Sequence, residues 1–349
     1  MFEQSAQMKS NYGGTQEDLP VVSIIVPAYN SRATIGPCLQ SIRALEYPAE
    51  KIELIVIDNG SKDETRDIAA KAGATVIVRS DIFVSEMRNV AAKQARGEVF
   101  AFVDSDCVIA ADWLINALRH LKNEAVGAAG CGYALGASPC WIERHWFYLH
   151  LDSGARAVTF LPAGNMAVRQ SVFQKVGGFD PHLETGEDSD LCLRLRKEGF
   201  QIISDGAIRN VHLGNPKSLR KFLRKEIWYG KGLAACMNSH DWKDRTFVLT
   251  NLFLVSLFGM AAGIILSLLA GNPILLICGL SGAIMVVLVS TAYRTIQRRS
   301  LTSFFHLAVL HAVYYLGRSI SLSEIYCRHI AAVFRVFGRR RSAKSEILK

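Results

Sequence analysis

Two aspartates, Asp104 and Asp106, follow an apolar segment in the middle of the chain. The segment Val99–Val103 is typical of a buried strand, and open α/β sheets bind ligands at the carboxyl ends of such strands. Two carboxylates this close repel each other unless a cation lies between them. Their oxygen atoms suit Mg²⁺ or Mn²⁺, ions that usually also hold a substrate diphosphate. An isolated Asp-x-Asp triplet is equally compatible with a solvated turn. The surrounding elements must therefore show whether this triplet belongs to a metal site.

The N-terminal part of the chain alternates between strand and helix patterns. Short β-branched segments predict buried strands at residues 21–26, 52–57, 75–78 and 99–103. Helical periodicity between them predicts helices at residues 33–44, 63–72 and 84–95. This alternation favours an α/β domain with a mostly parallel sheet and right-handed crossovers.

Asp58 adds a third acid to the same edge of the predicted sheet. It ends the strand at residues 52–57, just as Asp104 and Asp106 follow the strand at residues 99–103. Because parallel strands end at one edge, the three carboxylates should converge there. Aspartate is also a good helix N-cap, and capping explains each acid one at a time. Capping does not explain their common placement, which is what a nucleotide and metal site requires.

A second acidic cluster, Glu187, Asp188 and Asp190, precedes a predicted helix at residues 191–197. Acids in the first turn of a helix complement its dipole, and this is the simpler interpretation for Asp190. For Asp188 the alternatives are the same structural role and a catalytic one. The choice depends on the wider pattern of motifs.

Five segments, in order along the chain, resemble the family 2 glycosyltransferases, which are inverting enzymes of the GT-A fold that use nucleotide-diphospho-sugars. The segments are VSIIVPAYN at residues 22–30, DNGSKDET at 58–65, RN at 88–89, AFVDSD at 101–106 and GEDSDLCLR at 186–194. Each segment is weak evidence alone, but the set in this order is specific. The resemblance covers residues 20–235 and implies a Rossmann-like GT-A domain.

The resemblance implies donor-binding roles for residues at the sheet edge. Asp58 would contact the base, Asp104 would face the ribose and the metal with its diphosphate, and Asp106 would be the direct metal ligand. His212 would be a further ligand of Mg²⁺ or Mn²⁺, although a lone histidine is more often a packed residue. The remaining donor-binding candidates are Pro27, Ala28 and Tyr29 in the nucleotide pocket and Arg88 against phosphate.

The resemblance also implies the acid–base chemistry. Asp188 would be the general base that takes the proton of the acceptor hydroxyl on the face opposite the leaving diphosphate. Glu187 would assist this base or hold the acceptor. The metal would neutralise the charge that develops on the diphosphate. The candidates for acceptor contacts are Asn165 and Trp228.

The segment at residues 224–230 departs from the processive members of the family. Those polysaccharide synthases carry a Gln-x-x-Arg-Trp motif, whereas this chain has Arg224 in place of glutamine and Ile227 before Trp228. The departure favours the transfer of one sugar over polymerisation.

Several aromatic rings lie close together before the acceptor region. They are Trp141, His145, Trp146 and Tyr148. Aromatic residues at helical spacing are more typical of core packing or membrane-interface anchoring than of a sugar-binding platform. We therefore expect an anchoring role, with sugar stacking as the alternative.

The C-terminal part contains two uncharged apolar stretches, residues 247–270 and 273–293, each long enough to span a bilayer as a helix. Only Gly271 and Asn272 separate them, which predicts a helical hairpin. Basic residues flank both outer ends, so the positive-inside bias predicts that both ends and the preceding domain are cytoplasmic, at a bacterial inner membrane. The flanking residues are Lys243, Arg245, Arg294, Arg298 and Arg299.

A shorter apolar run, Phe304–Leu316, precedes a basic tail. If this run crossed the membrane, the arginines at residues 339–341 would lie outside, against the positive-inside bias. We therefore expect residues 294–349 to form interfacial helices with arginines directed toward anionic lipid phosphates, and a third span is the alternative. These arginines are Arg318, Arg328 and Arg335.

The composition of the chain agrees with a catalytic domain followed by a membrane-associated part. The 349 residues carry a net charge of +9, which anionic headgroups explain better than nucleic acid, because no nucleic-acid motif is present. The eight cysteines have no paired spacing, so we expect no disulfide or metal framework, as in a reducing cytosol. Residues 1–19 are polar, which predicts disorder without a signal peptide.

The sequence thus predicts a disordered N-terminus at residues 1–19, a GT-A domain at 20–240, two transmembrane helices at 246–293 and basic interfacial helices at 294–349. The expected function is transfer of one sugar from a nucleotide-diphospho-sugar to a lipid-linked acceptor, in glycan or polysaccharide biosynthesis. The alternatives are transfer to a polyprenyl phosphate, a membrane scaffold that binds nucleotide sugar without turnover, and a component of a transporter or channel.

Overall fold

The structure, a computed structural model, describes residues 18–147, 154–233, 245–271, 273–298 and 300–347, with side chains described as far as residue 330. The chain divides into two compact units. The sheet unit comprises Met1–Pro139 and Phe147–Asn215, and the helical unit comprises Cys140–Trp146 and Pro216–Lys349. The boundary at residue 215 lies earlier than the predicted domain end at residue 240. Several predictions concern positions outside the described residues: disorder at residues 1–17, Tyr148, Lys243, Arg299 and the side chain of Arg335.

The sheet unit alternates strands and helices, as its N-terminal pattern predicts. Its strands are β1 (Val22–Ala28), β2 (Ile52–Asp58), β3 (Thr75–Val78), β4 (Val99–Val103), β5 (Cys107–Ile109), β6 (Val126–Gly130), β7 (Arg156–Ala157), β8 (Asn165–Arg169), β9 (Gln201–Ser204) and β10 (Asn210–His212). Its helices are α1 (Ile35–Arg43), α2 (Thr65–Lys71), α3 (Val84–Gln94), α4 (Trp113–Leu121), α5 (Gln170–Lys175) and α6 (Glu187–Lys197), with a 3₁₀ turn at Ala49–Lys51.

The described strands form one eight-stranded sheet in the order β3-β2-β1-β4-β8-β6-β9-β7 and a two-stranded sheet of β5 and β10. The first four strands pair in parallel, as predicted. Strand β8 pairs antiparallel with both β4 and β6, so the sheet is mixed beyond β4. This inversion places the start of β8 beside the end of β4, where Asn165 is the register partner of Val103.

Apolar side chains cover both faces of the sheet. One core cluster forms around Ile24, Val26 and Trp113, all without exposed surface, and includes the inner faces of α1 and α4. The other forms around Phe102, whose ring lies 5.1 Å from that of Phe179, and includes α3 and α6. Strands buried on both faces explain the continuous apolar runs of β1 and β4. The polar residues at the strand ends are therefore fixed by a sheet packed from both sides.

The helical unit is built from long helices. A short π-helix at Glu143–Phe147 begins in this unit; the others are α7 (Leu219–Gly230), α8 (Arg245–Ala270), α9 (Ile274–Arg298) and α10 (Phe304–Ile347), with a 3₁₀ turn at Leu301–Ser303. Helices α8 and α9 pack closely because glycines face the partner backbone. A Cβ atom on Gly263 would lie 2.2 Å from the Leu276 nitrogen, and one on Gly279 would lie 2.4 Å from the Met260 nitrogen.

Among the described residues, α8 and α9 are the two helices long and apolar enough to cross a membrane. Most of their large apolar side chains are exposed, including Val255, Phe258, Leu268 and Leu269. A core helix of a soluble protein would bury such residues, so this exposed apolar surface suggests that α8 and α9 contact a membrane.

The third apolar run forms the start of α10, a helix of 44 residues. Its residues Leu307, Leu310 and Leu322 are fully buried within the helical unit. The expectation that Arg318 points toward lipid phosphates is wrong. Its Nε atom lies 3.1 Å from Oε2 of Glu226, which is buried, because an ion pair inside the unit satisfies both charges.

Trp146 anchors the π-helix within the helical unit. Its ring packs against the rings of Phe222, His311 and Tyr314 at centroid distances of 5.0–5.2 Å. The guanidinium of Arg294 lies 4.3 Å from the Trp146 ring centroid and donates a hydrogen bond to the Trp146 carbonyl. These contacts support the anchoring role expected for the aromatic cluster.

Candidate active site

Polar residues converge where β1, β2 and β4 end. Asp58, at the end of β2, is fully buried, and its Oδ1 atom accepts hydrogen bonds from the nitrogens of Gly60 and Ser61 at 3.0 and 2.8 Å. Its Oδ2 atom is buried and has no hydrogen-bond partner among the described residues. Because a buried carboxylate oxygen without a donor is costly, Asp58 is poised to accept a hydrogen bond from a ligand.

The loops after β1 and β4 are tied together beside Asp58. The hydroxyls of Ser31 and Ser105 lie 2.9 Å apart, and Asn30 donates its backbone N–H to the Ser61 hydroxyl. Pro27 and Ala28 are the last two residues of β1, and Ala28 is buried. Tyr29 follows with 57% of its surface exposed. Of the three residues predicted to line a nucleotide pocket, Tyr29 thus presents the most surface to a ligand.

Arg88 on α3 links the two acidic clusters. Its Nη2 atom lies 2.7 Å from Oδ1 of Asp104, and its Nη1 atom lies 2.7 Å from Oε1 of Glu187. Burial disfavours the charged guanidinium, but the two carboxylates outweigh burial and raise the pKa of Arg88. The Phe179 ring lies 5.4 Å from the guanidinium carbon. Both terminal nitrogens therefore hold carboxylates, a different arrangement from the phosphate contact predicted for this residue.

Asp104 is enclosed by a second set of contacts. The Tyr133 hydroxyl donates a hydrogen bond of 3.3 Å to Oδ2 of Asp104, and the Tyr133 ring lies 4.8 Å from that of His212. Burial and then the Asp104 charge raise the pKa of Tyr133 well above its ordinary value, so the hydroxyl remains a donor. A Cβ atom on Gly164 would lie 2.0 Å from Oδ2 of Asp104, so the backbone at residue 164 can lie this close to the carboxylate only because the residue is glycine.

Asp106 and His212 meet across the small sheet. Strand β10 pairs with β5 so that His212 is the register partner of Cys107, next to Asp106. The Nε2 atom of His212 lies 3.4 Å from Oδ2 of Asp106, and the potential ligand atoms of Asp106, Cys107 and His212 lie within 4.8 Å of one another. A Cβ atom on Gly214 would lie 1.8 Å from Oδ2 of Asp106. Oxygen and nitrogen donors around this glycine-lined space fit a divalent cation.

Glu187 and Asp188 form the first turn of α6. Glu187 is 7% exposed and is held by Arg88. Burial and then the charge of Glu187 raise the pKa of Asp188 to about 7, while its Oδ1 atom accepts the Ser189 backbone N–H at 2.8 Å. Asp190 instead pairs with Arg194 one turn later, at 2.6 Å, as expected for a helix-stabilising acid. Asp188 is therefore suited to gain and lose a proton near neutral pH.

The two predicted acceptor contacts, Asn165 and Trp228, have different surroundings. Asn165 has no exposed surface, and its amide accepts from the Trp113 ring at 2.5 Å and donates to the Cys131 carbonyl at 2.9 Å. This geometry gives Asn165 a structural role. Trp228 belongs to α7 of the helical unit, where 40% of its surface is exposed.

The sequence did not single out Tyr133, Gly164 or Gly214. Each acts through a contact that the fold creates, with Asp104 or with Asp106. Gly164 precedes β8 and Gly214 follows β10, and a glycine next to a strand can mark a close backbone approach, which is the signal that the sequence carries for them. Tyr133 carries no comparable signal.

The mixed α/β sheet with acids at its edge agrees with a glycosyltransferase of the GT-A type. Residues 23–177 match the protein family described as Glycosyl transferase family 2. This match and the names of the relatives below confirm the predicted enzyme class, a glycosyltransferase.

Relatives with assigned activities agree. The glycosyltransferase AglE of Haloferax volcanii is 26% identical over 266 residues, which are 73% of this chain and 83% of that protein. The dolichyl N-acetyl-alpha-D-glucosaminyl phosphate 3-beta-D-2,3-diacetamido-2,3-dideoxy-beta-D-glucuronosyltransferase of Methanococcus voltae is 24% identical over 245 residues, which are 61% of this chain and 73% of that protein. Both are named glycosyltransferases, in agreement with the enzyme class.

A solved structure shares the fold. The mannosyltransferase PcManGT from Pyrobaculum calidifontis, in complex with GDP-Man and Mn²⁺, aligns with a TM-score of 0.59 at 17% sequence identity. The alignment covers 92% of this chain and 94% of that chain. This likeness confirms the GT-A fold predicted from the sequence.

Proposed function

We propose that the protein is an inverting glycosyltransferase that moves one sugar from a nucleotide-diphospho-sugar to a lipid-linked acceptor at the cytoplasmic face of a membrane. The observation that carries the proposal is the pair of 2.7 Å ion pairs from Arg88 to Asp104 and to Glu187. Through these two contacts, Arg88 links Asp104 on the donor side to the first turn of α6, which contains Asp188. A donor and a general base can then meet in a fixed geometry.

The donor would bind at the ends of β1, β2 and β4. The buried Oδ2 atom of Asp58 would accept a hydrogen bond from the base, and the exposed ring of Tyr29 would cover the nucleotide. Asp104 would face the ribose and diphosphate. Asp106 and His212 would hold Mg²⁺ or Mn²⁺, which supplies charge neutralisation for the leaving diphosphate.

Asp188 would act as the general base. A carboxylate with a pKa of about 7 is a stronger base than an ordinary aspartate and is still largely ionised at slightly alkaline pH. Proton removal from the acceptor hydroxyl lets its oxygen attack the sugar C1 from the face opposite the diphosphate, which inverts the anomeric centre. Glu187 would hold Arg88 and Asp188 in place, because its own carboxylate is buried in the ion pair.

A lipid-linked acceptor is supported by the helical unit and by the relatives. The apolar helices α8 and α9 associate the chain with a membrane, where a lipid-linked acceptor also lies. The Methanococcus voltae relative is named for a dolichyl phosphate-linked acceptor. Basic residues at the outer ends of the two helices, Arg245 and Arg298, support a cytoplasmic position for these ends.

The second candidate is direct transfer to a polyprenyl phosphate. That acceptor is already an anion and needs no base, so the raised pKa of Asp188 favours a hydroxyl acceptor. A scaffold without turnover would not need carboxylates for catalysis, so the presence of Asp104, Asp106 and Asp188 disfavours that alternative. Dependence of the reaction on Asp188 separates the two enzymatic candidates.

The test is a transfer assay with the full chain in detergent. Nucleotide sugars would be screened with Mg²⁺ or Mn²⁺ against lipid extracts and polyprenyl phosphates, with products identified by mass spectrometry and their anomeric configuration by NMR. We expect an inverted linkage to a hydroxyl of a lipid-linked sugar, lost in Asp188→Asn and kept in Asp190→Asn. Transfer to polyprenyl phosphate that survives Asp188→Asn would establish the second candidate, and donor binding without any product would establish the scaffold.

A further inference from the structure

Helix α7 has two different faces. Phe222, Glu226 and Gly230 are buried and lie one turn apart, so they form one stripe along the helix. This stripe packs against α10. A Cβ atom on Gly230 would lie 2.6 Å from Cβ of Ser321, and one on Gly317 would lie 2.9 Å from Cβ of Glu226. The close backbone contact fixes which face of α7 is turned away from the unit.

The opposite face is basic. At 100° per residue, the exposed residues Arg220, Lys221, Arg224 and Trp228 lie opposite the buried stripe, and exposed Lys217 precedes the helix. None of these four cations has an acidic partner among the described residues, whereas Arg318 on the packed side is paired with Glu226. This face of α7 therefore carries positive charges without acidic partners, and the partly exposed indole ring of Trp228 lies at its C-terminal end.

We propose that this face of α7, formed by Lys217, Arg220, Lys221, Arg224 and Trp228, docks on the anionic phospholipid surface of the membrane. Long basic side chains reach headgroup phosphates while their methylene stems stay near the apolar boundary. An indole ring prefers the same boundary. The occupant is assigned by this charge complementarity and by the two apolar helices of the same unit. The inference rests on the membrane attachment in the proposed function, but not on the reaction.

The expected contribution of each cation is modest. A lysine or arginine near an anionic leaflet contributes about 1 kcal/mol, which is about fivefold in binding, and the effect falls off within the Debye length. Four cations together can therefore select anionic over zwitterionic lipid, and added salt should weaken this selection.

Site-specific photo-crosslinking with the full chain tests the contact. A benzophenone amino acid would replace Trp228, and the chain would be irradiated in native membranes before mass analysis. We expect phospholipid adducts at position 228, as at the positive-control position Leu268 on α8, and none at the exposed position Val78 on β3. Adducts at 228 that consist of protein or nucleic acid, or no adducts while Leu268 gives them, would overturn the proposal.

A charge variant tests the selection. Vesicles of phosphatidylglycerol mixed with phosphatidylcholine would hold the full chain with the benzophenone at position 228. Changing Lys217, Arg220, Lys221 and Arg224 to Gln should reduce the preference for phosphatidylglycerol adducts about tenfold or more. The matched control changes Lys71, Lys93, Arg196 and Lys197, four exposed cations of the sheet unit, and should leave the preference unchanged. An equal loss in both variants would refute a specific face. Donor turnover is scored separately, so failure of the proposed reaction and failure of this contact remain distinguishable.

Discussion

The Nη2 atom of Arg88 lies 2.7 Å from Oδ1 of Asp104, and this contact is one half of a bridge between two acidic clusters. The other half is the contact between Arg88 and Glu187, which lies 99 residues after Arg88 in the chain. The bridge neutralises charge that would otherwise build up at the sheet edge, because the two carboxylates share one buried guanidinium. The geometry of the donor side and that of the base side are thus coupled through a single residue.

The first prediction concerns this bridge. Arg88→Met should destabilise the fold by about 3–5 kcal/mol, because it leaves a buried carboxylate without its partner. Arg96→Met is the control, since Arg96 pairs with Glu53 but is 83% exposed, and such pairs contribute about 1 kcal/mol or less. Thermal unfolding in detergent measures both variants. Equal, small losses would show that the bridge does not hold the site.

The second prediction concerns the metal. Asp106→Ala should abolish divalent-dependent donor binding, and Asp104→Ala should reduce it nearly as much, because both remove carboxylate oxygens from the proposed site. Asp112→Ala, a partly exposed acid that pairs with Arg209, is the control. Calorimetry with UDP- or GDP-sugars and Mn²⁺ gives the affinities. Unchanged affinity in Asp106→Ala would remove this residue from the metal site.

The third prediction tests the space beside the metal ligands. Gly214→Ala should weaken metal-dependent donor binding, because its Cβ would lie 1.8 Å from Oδ2 of Asp106. Gly136→Ala is the matched control, since its nearest contact would be an ordinary 3.9 Å to Val211. The same calorimetric titration compares the two, with thermal unfolding to confirm that both fold. Tight metal-dependent binding in Gly214→Ala would show that the ion lies elsewhere.

Local pattern was enough to predict the part of the fold that positions the donor site. Strands β1 to β4 occur within two residues of their predicted limits, because each is a short run of β-branched and other apolar residues; β1 and β4 are also buried along their whole length. The antiparallel direction of strand β8 was not predictable, because no periodicity in the residues of a strand encodes its direction. Strand β10 is three residues long and has no pattern of its own.

The site was only partly predictable for a related reason. The acids Asp58, Asp104, Asp106 and Asp188 stand at strand or helix ends, and those positions can be recognised along the sequence. The partners that decide their chemistry cannot, because they join distant segments. Arg88 was expected against phosphate, and only the fold shows that Asp104 and Glu187 occupy its terminal nitrogens.

The fourth prediction concerns the base. Asp188→Asn keeps the shape and removes the basicity, so kcat should fall by roughly 10²–10⁴ while donor affinity stays within a few fold. In the unchanged protein, kcat/KM should rise with pH up to about 7 and then level off, because only the ionised carboxylate accepts a proton. Steady-state kinetics across this range measures both. Equal losses of donor binding and turnover would indicate a structural role for Asp188.

The same carboxyl group should affect stability. Its pKa rises from the ordinary 3.8 to about 7 on folding, so the folded state binds more protons between these values. The contribution of Asp188 is therefore fully present below pH about 4 and is lost as the pH rises through about 7. Thermal unfolding at several pH values should show this loss in the unchanged protein and a weaker dependence in Asp188→Asn. The same dependence in both would assign it to another group.

The fifth prediction concerns the membrane. The helices α8 and α9 should form a hairpin with both ends in the cytoplasm, because their apolar stretches carry no charged residue and basic residues flank the outer ends. A topology reporter fused after Arg298 should therefore report the cytoplasm, and one fused after Lys349 should report it as well. A reporter inserted at Gly271, between the two helices, is the control and should report the opposite side. A cytoplasmic signal after Arg298 with an external signal after Lys349 would show that α10 crosses the membrane as a third span.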